Sequence, residues 1–292
     1  MNDLAIVDVS DWEVRLPEPG GSDANVWLRD PESDDYALFK PVVARKGRRQ
    51  GEDWAEKVVE QVASLVGIPS ARIRMATLRG RSGLISYDLA SVGSELQTGA
   101  VLIGEIDNRL VPRAKERLGH NLDNIRRVLA PLAAVGMSDG FTAYDQFCGY
   151  LVLDGLVANR DRHEENWGVL RDAAGKVTLA PSYDHGNSLG FNLKDELRLR
   201  EVDRDPELLT WASRAFADRF ENSRKVTLVD FAVDALRQAR AGTAEYWLGR
   251  LAMVTASDWG TVVSRTPEMS EACRTFCVRL LTTNQRRLLD GT

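Results

Sequence analysis

Asn159-Arg160-Asp161-Arg162-His163-Glu164-Glu165-Asn166-Trp167-Gly168 follows an apolar helical run, and Tyr183-Asp184-His185-Gly186 comes a short interval later. Between them, residues 167–170 have strand composition, residues 171–176 form a polar turn around Gly175, and residues 177–180 read as the returning strand. A hairpin sets its two ends side by side. The pattern therefore predicts Asn166 next to Asp184, with Asp161 on the approach loop. An amide and a carboxylate at the base of a hairpin are hard oxygen donors of the kind magnesium takes. A second carboxylate nearby can accept the proton of an attacking hydroxyl. The set suits a magnesium-nucleotide phosphoryl-transfer site.

Toward the N-terminus, residues 4–9, 24–29 and 36–40 read as three short antiparallel strands, with Gly20, Gly21 and Ser22 in the turn between the first two. That turn exposes backbone N–H groups and lacks side-chain bulk, so it serves either as an ordinary hairpin turn or as a cover over phosphates. Lys40 ends the third strand just before Pro41. It either snorkels at a sheet edge or contacts a phosphate. A basic loop follows over residues 45–49, solvated by default, with acidic-substrate contact as the alternative.

Residues 52–66 carry Trp54, Val58, Val59, Val62 and Val66 at helical spacing, with Gly67 as the stop, and predict an amphipathic helix. Glu56 and Glu60 flank its apolar stripe, either as solvated charges or, one of them, as the partner that orients Lys40. Residues 71–78 and 82–89 add two strands, giving a five-stranded sheet with one helix inserted after the third strand. The composition changes after Leu89, which places a lobe boundary near residue 90 and divides the chain into 1–90 and 91–292.

Beyond the boundary, residues 112–118 and 122–135 have helical character, the second broken by Pro131. Thr142 and Asp145 match a capping box and start the helix that ends at the opening motif. An irregular stretch follows Gly186 to about residue 205, where a substrate-facing loop can sit. Helices are expected over 206–220, 228–240, 244–254 and 267–289. His163 and His185 are read as hydrogen-bonding the loop in place, and His120 as a surface residue.

The totals narrow the class. A net charge of −5 argues against a broad nucleic-acid-binding surface, though local basic clusters are compatible with it. No apolar run reaches the length of a membrane span, and the N-terminal residues have no secretory pattern, so a cytoplasmic protein without membrane contact is expected. Three cysteines, Cys148, Cys273 and Cys277, do not make a disulfide framework, and the last two read as reduced helix cysteines.

The ordered set Lys40, Glu56, Asp161, Asn166 and Asp184 resembles the protein-kinase-like superfamily, and specifically the HipA-like kinases. Residues 159–166 resemble that family's Asp-x-His-x-x-Asn catalytic loop. Ser182-Tyr183-Asp184 resembles its metal-binding Tyr-Asp segment. Leu38-Phe39-Lys40-Pro41 and Gly51-Glu52-Asp53-Trp54-Ala55-Glu56-Lys57 are similar to the N-lobe signature of shorter HipA-like proteins. The resemblance implies an α+β, bilobal protein-kinase-like fold: a small antiparallel β-sheet lobe with one helix, then a larger, mostly helical lobe. It also implies ATP, magnesium and transfer to a protein serine or threonine. Asp161 would be the base, and Asn166 and Asp184 would hold metal. Lys40, positioned by Glu56, would contact phosphates that Gly20, Gly21 and Ser22 cover. Ser86, Tyr87, Asp88 and Leu89 would join the lobes and face adenine.

Two departures limit what carries over. The chain is short for a full-length HipA toxin with its extra N-terminal subdomain, which leaves an antitoxin partner open. The Gly-Gly-Ser turn is not a full glycine-rich signature. Three other readings compete: a small-molecule or lipid kinase on the same fold, a nucleotide-sensing pseudokinase, and a His/Asp metal-dependent phosphohydrolase.

Overall fold

The structure, a computed structural model, describes residues 5–17, 25–90 and 93–291. Its N-terminal region comprises β1 (Val7–Asp8), β2 (Glu13–Pro17), β3 (Val26–Arg29), β4 (Tyr36–Pro41), a small ladder of β5 (Ala44–Arg45) and β6 (Arg48–Arg49), α1 (Glu52–Val66), β7 (Ile73–Leu78) and β8 (Arg81–Tyr87). Six of these strands form one sheet in the order β1-β7-β8-β4-β3-β2. Strand alternation decides what β4 presents. Ala37 and Phe39 join Ile85 and Tyr87 in one apolar layer, while Leu38 and Lys40, paired with Ser86 and Leu84, take the opposite face.

Two sequence expectations change here. The described part of the first predicted strand, β1, does not pair with its successor. It runs parallel to β7 at the far edge, with Val7 opposite Ala76 and Asp8 opposite Thr77. The neighbour of β3 is β2, an edge strand that ends in a proline, which an edge tolerates because its N–H side need not bond. The sheet therefore has six strands rather than five, and one parallel edge. The helix expected over 52–66 forms with those bounds and ends at Gly67 in the left-handed conformation.

The C-terminal region begins with β9 (Glu95–Thr98) and α2 (Gly99–Gly104), then α3 (Leu122–Leu129), α4 (Ala143–Val157) and the hairpin β10 (Gly168–Arg171) and β11 (Val177–Leu179). The remainder is α5 (Asp195–Asp203), α6 (Asp205–Ala212), α7 (Leu228–Gln238), α8 (Thr243–Ala252), α9 (Ala256–Arg265) and α10 (Glu271–Asp290). Helix α4 is buried along its whole length, with α7 and α10 packed on it, and the Thr142–Asp145 capping box starts it. β9 pairs with β10, so the hairpin is the centre and edge of a three-stranded sheet. The strands approach so closely that a Cβ on Gly168 would lie 2.4 Å from the carbonyl oxygen of Gln97.

Several helix bounds differ from expectation. Residues 112–118 form turns, and α3 stops at Leu129, before Pro131. Helix α5 occupies the stretch expected to be irregular, and α6 ends well short of residue 220. β9, α2 and α9 were not anticipated. Among the described residues, no helix is long and apolar enough to cross a membrane.

Candidate active site

The opening motif is bolted down from beneath. Helix α4 ends at Ala158, whose φ of 55° is left-handed, and its N–H still reaches the Asp154 carbonyl. Without a glycine that conformation is costly, so tertiary contacts must hold it. They come from Asp154, an acid within an apolar run. Its Oδ2 and Oδ1 each accept a 2.8 Å hydrogen bond from Arg162, and Oδ1 accepts another from Asn159 at 2.7 Å. The remaining Arg162 donors reach the Asn166 carbonyl at 2.6 Å and the Ser182 hydroxyl at 2.8 Å. One buried guanidinium thus ties α4, the loop and the segment before Asp184 together. Such a bidentate, fully bonded pair is the form in which buried charge is tolerated.

Above this brace, Lys40 of β4 meets both regions of the chain. Its Nζ stands 3.6 Å from Glu56 Oε1 on α1 and donates to Asp184 Oδ1 at 3.3 Å. Glu56 also accepts the His185 backbone N–H at 3.0 Å, which fixes the turn at Asp184, itself left-handed with φ 59°. The two carboxylates respond differently. Burial pushes Glu56 up against the pull of Lys40, whereas the Lys40 ammonium holds Asp184 below the usual carboxylate range. The Asp184 side chain is 43% exposed, so it remains reachable from the cleft. Glu60, the competing partner, is taken by the buried Lys57 at 2.6 Å. Lys40 pairs with Glu56.

Asp161 lies where the loop turns toward solvent. Asn166 donates from Nδ2 to the Asp161 carbonyl at 2.8 Å, so the two residues are locked into one loop. The Asp161 carboxylate has two partners that sequence reading missed. Asn187 donates to Oδ2 at 2.5 Å, and Arg219 Nη2 stands 2.5 Å from Oδ1 as an ion pair without hydrogen-bond geometry. Neither was legible, because Arg219 arrives from a distant loop and Asn187 from the stretch read as irregular.

The histidines have structural partners. His185 Nε2 and the Ser182 hydroxyl share a 2.8 Å hydrogen bond, and burial pushes the His185 pKa well below the ordinary value. His163 Nδ1 accepts the Glu165 N–H at 3.2 Å. His120 is not a surface residue: it is 0% exposed, with Nδ1 against the Arg219 carbonyl at 2.7 Å and Nε2 accepting from Trp167 at 3.1 Å. The charged, glycine-containing residues around it hid a partnership made entirely over distance.

Of the residues read as facing adenine, Ser86 lies on the Lys40 face of the sheet. Tyr87 lies on the other, its hydroxyl bonded to Asp30 at 2.8 Å and its ring covered by Arg72. Asp88 N donates to the Tyr36 carbonyl, and Leu89 packs beside Tyr183 and the small layer of Ala71, Ile73 and Leu84. Gly20, Gly21 and Ser22 lie outside the described residues. The donor set fits magnesium and a nucleotide: oxygen donors at Asn166 and Asp184, and an ammonium at Lys40, which can meet phosphate charge.

No protein-family model matches the chain, and no curated protein matches it in sequence. Solved structures do. The Helicobacter pylori proinflammatory kinase CtkA superposes with a TM-score of 0.74 at 19% identity, over 98% of this chain and 96% of its own. A chain of the Shewanella oneidensis MR-1 toxin–antitoxin complex of HipA, HipB and operator DNA superposes with a TM-score of 0.51 at 10% identity, over 95% of this chain and 66% of its own. The sheet with its inserted helix and the helical region that carries the hairpin make this a bilobal, HipA-like kinase fold.

Proposed function

We propose that the chain is an ATP- and magnesium-dependent kinase that transfers a phosphoryl group to a serine or threonine hydroxyl of a protein, in the cytoplasm. The observation that carries this reading is Lys40 bridging Glu56 and Asp184 above a loop that holds Asp161 and Asn166 together. When bound at Asn166 and Asp184, magnesium would neutralise charge on the nucleotide phosphates. Lys40 orients and neutralises phosphate oxygens and is itself aimed by Glu56. Asp161 receives the proton of the acceptor hydroxyl, its carboxylate oriented by Asn187. The Arg162 brace keeps these groups in place before any substrate arrives, and in phosphoryl transfer such positioning and charge stabilisation supply most of the acceleration.

The test offers labelled ATP with magnesium to mixed proteins and to small alcohols side by side, followed by phosphoamino-acid analysis. Phosphoserine or phosphothreonine should appear and fall about a thousandfold in Asp161→Asn, the loss expected for a general base. Label found only on small alcohols would replace the protein acceptor with a metabolite. Label on neither would overturn the reading.

A further inference from the structure

Beside Asp161 the surface opens into a cavity of about 540 Å3. Five cationic side chains line it, Lys115, Arg117, Arg160, Arg219 and Arg224, against two carboxylates, Asp161 and Asp218. The chain as a whole carries a net charge of −5, so this excess of positive charge runs against its average. Internal pairing does not cancel it. Arg160 donates to Asp218 at 2.7 Å and Arg219 faces Asp161, which accounts for both acids. Arg224 donates to the Lys115 carbonyl at 2.8 Å. That bond ties two loops together while leaving the charge in place. Phe191 and Trp211 add apolar surface to the same lining.

A proton-accepting carboxylate inside a basic cavity constrains what can dock there. An occupant whose hydroxyl reaches Asp161 must set its neighbouring groups among the cations. We infer that this cavity docks a peptide acceptor whose serine or threonine is flanked by acidic side chains, whether aspartate, glutamate or a phosphorylated residue. The serine or threonine acceptor rests on the kinase reading, and the acidic flank rests on the cavity's charge. Arg219 links the two, because an acidic flank competes with Asp161 for its guanidinium, so docking frees the carboxylate as it binds. A nucleic acid also offers negative charge. The cations here line a compact pit rather than a stripe, on a chain of negative net charge, which favours a peptide.

Binding measured without nucleotide tests this separately from catalysis. Fluorescent peptides carrying one serine between acidic, neutral or basic flanks are titrated by anisotropy, beside a single-stranded oligonucleotide and a phosphoserine-flanked peptide. The acidic peptides should bind about tenfold tighter than the neutral one and weaken as salt rises. Lys115→Glu combined with Arg224→Glu should reverse the preference toward basic flanks. Asp218→Asn, which removes an acid but keeps a side-chain oxygen to accept from Arg160, should tighten the acidic peptides about threefold. Equal binding of all flanks, or acidic binding that both variants leave unchanged, overturns the inference, as does an oligonucleotide that binds tighter than the acidic peptides and displaces them. A protein that binds acidic peptides but no magnesium-ATP would instead retain the docking site and lose the kinase reading.

Discussion

Arg162 meets Asp154 with both side chains 1% exposed, whereas Arg219 meets Asp161 at 35% and 17%. The residue types are the same and the surroundings are not. The first pair has traded water for a complete set of internal hydrogen bonds, four of them fixing the loop's position. The second faces a cavity and stays partly open to solvent. Arginine–carboxylate pairing thus makes a closed, buried brace at Arg162 and a contact open to solvent at Arg219. Burial decides which.

The largest expected effect belongs to the brace. Arg162→Met leaves the Asp154 carboxylate buried without its partner and should cost about 3–5 kcal/mol of stability in urea titrations. A loss below about 1 kcal/mol would mean that water reaches Asp154 and that the brace is not closed. Acid should reveal a second buried group. The folded pKa of His120 lies at about 4, against 6.5 when unfolded, because burial disfavours the charged ring. Below 6.5 the unfolded chain therefore binds a proton that the folded chain refuses. Stability should fall as pH drops from 6.5 toward 4 and then level off for this group, by about 3 kcal/mol. His185, also shifted downward, contributes with the same sign. Unfolding midpoints measured against pH should show a shallower fall in His120→Gln.

Smaller effects sharpen the contrast on α1. Glu60→Gln strips the buried Lys57 of its carboxylate and should cost about 1–3 kcal/mol in stability with little change in nucleotide binding. Glu56→Gln should do the reverse: nucleotide affinity down about tenfold, with stability nearly kept, because burial already works against the Glu56 charge. At the exposed end, Arg160→Ala should change stability by less than about 1 kcal/mol. Thermal unfolding of the three variants beside ATP titrations separates these roles.

Much of this arrangement was legible because it is local. The apolar stripe and Gly67 bounded α1, the Thr142–Asp145 box started α4, and the hairpin arithmetic brought the opening motif beside Tyr183. The choice between Glu56 and Glu60 required geometry, since both lie on one helix close to the same strand. What escaped was set by distance or by weak periodicity. β1 pairs with a strand nearly seventy residues away, a partnership that no local pattern encodes. Helix α5 is dominated by charged residues, so no apolar stripe announces it. Two signals were present and unread. Thr255 and Asp258 form a capping box that opens α9, and Asp154 stands alone in an apolar run, where a buried acid demands a partner. That partner, Arg162, was already in the motif.

Under the proposed function, Lys40, Asn166 and Asp184 form a magnesium-nucleotide site on the Arg162 brace. Calorimetric titration of ATP, with and without magnesium, into the wild type and Asp184→Asn tests that site. Binding should depend on magnesium and weaken at least about tenfold in the variant, with its thermal unfolding little changed. Binding that is absent in the wild type, or indifferent to both magnesium and Asp184, would contradict that site.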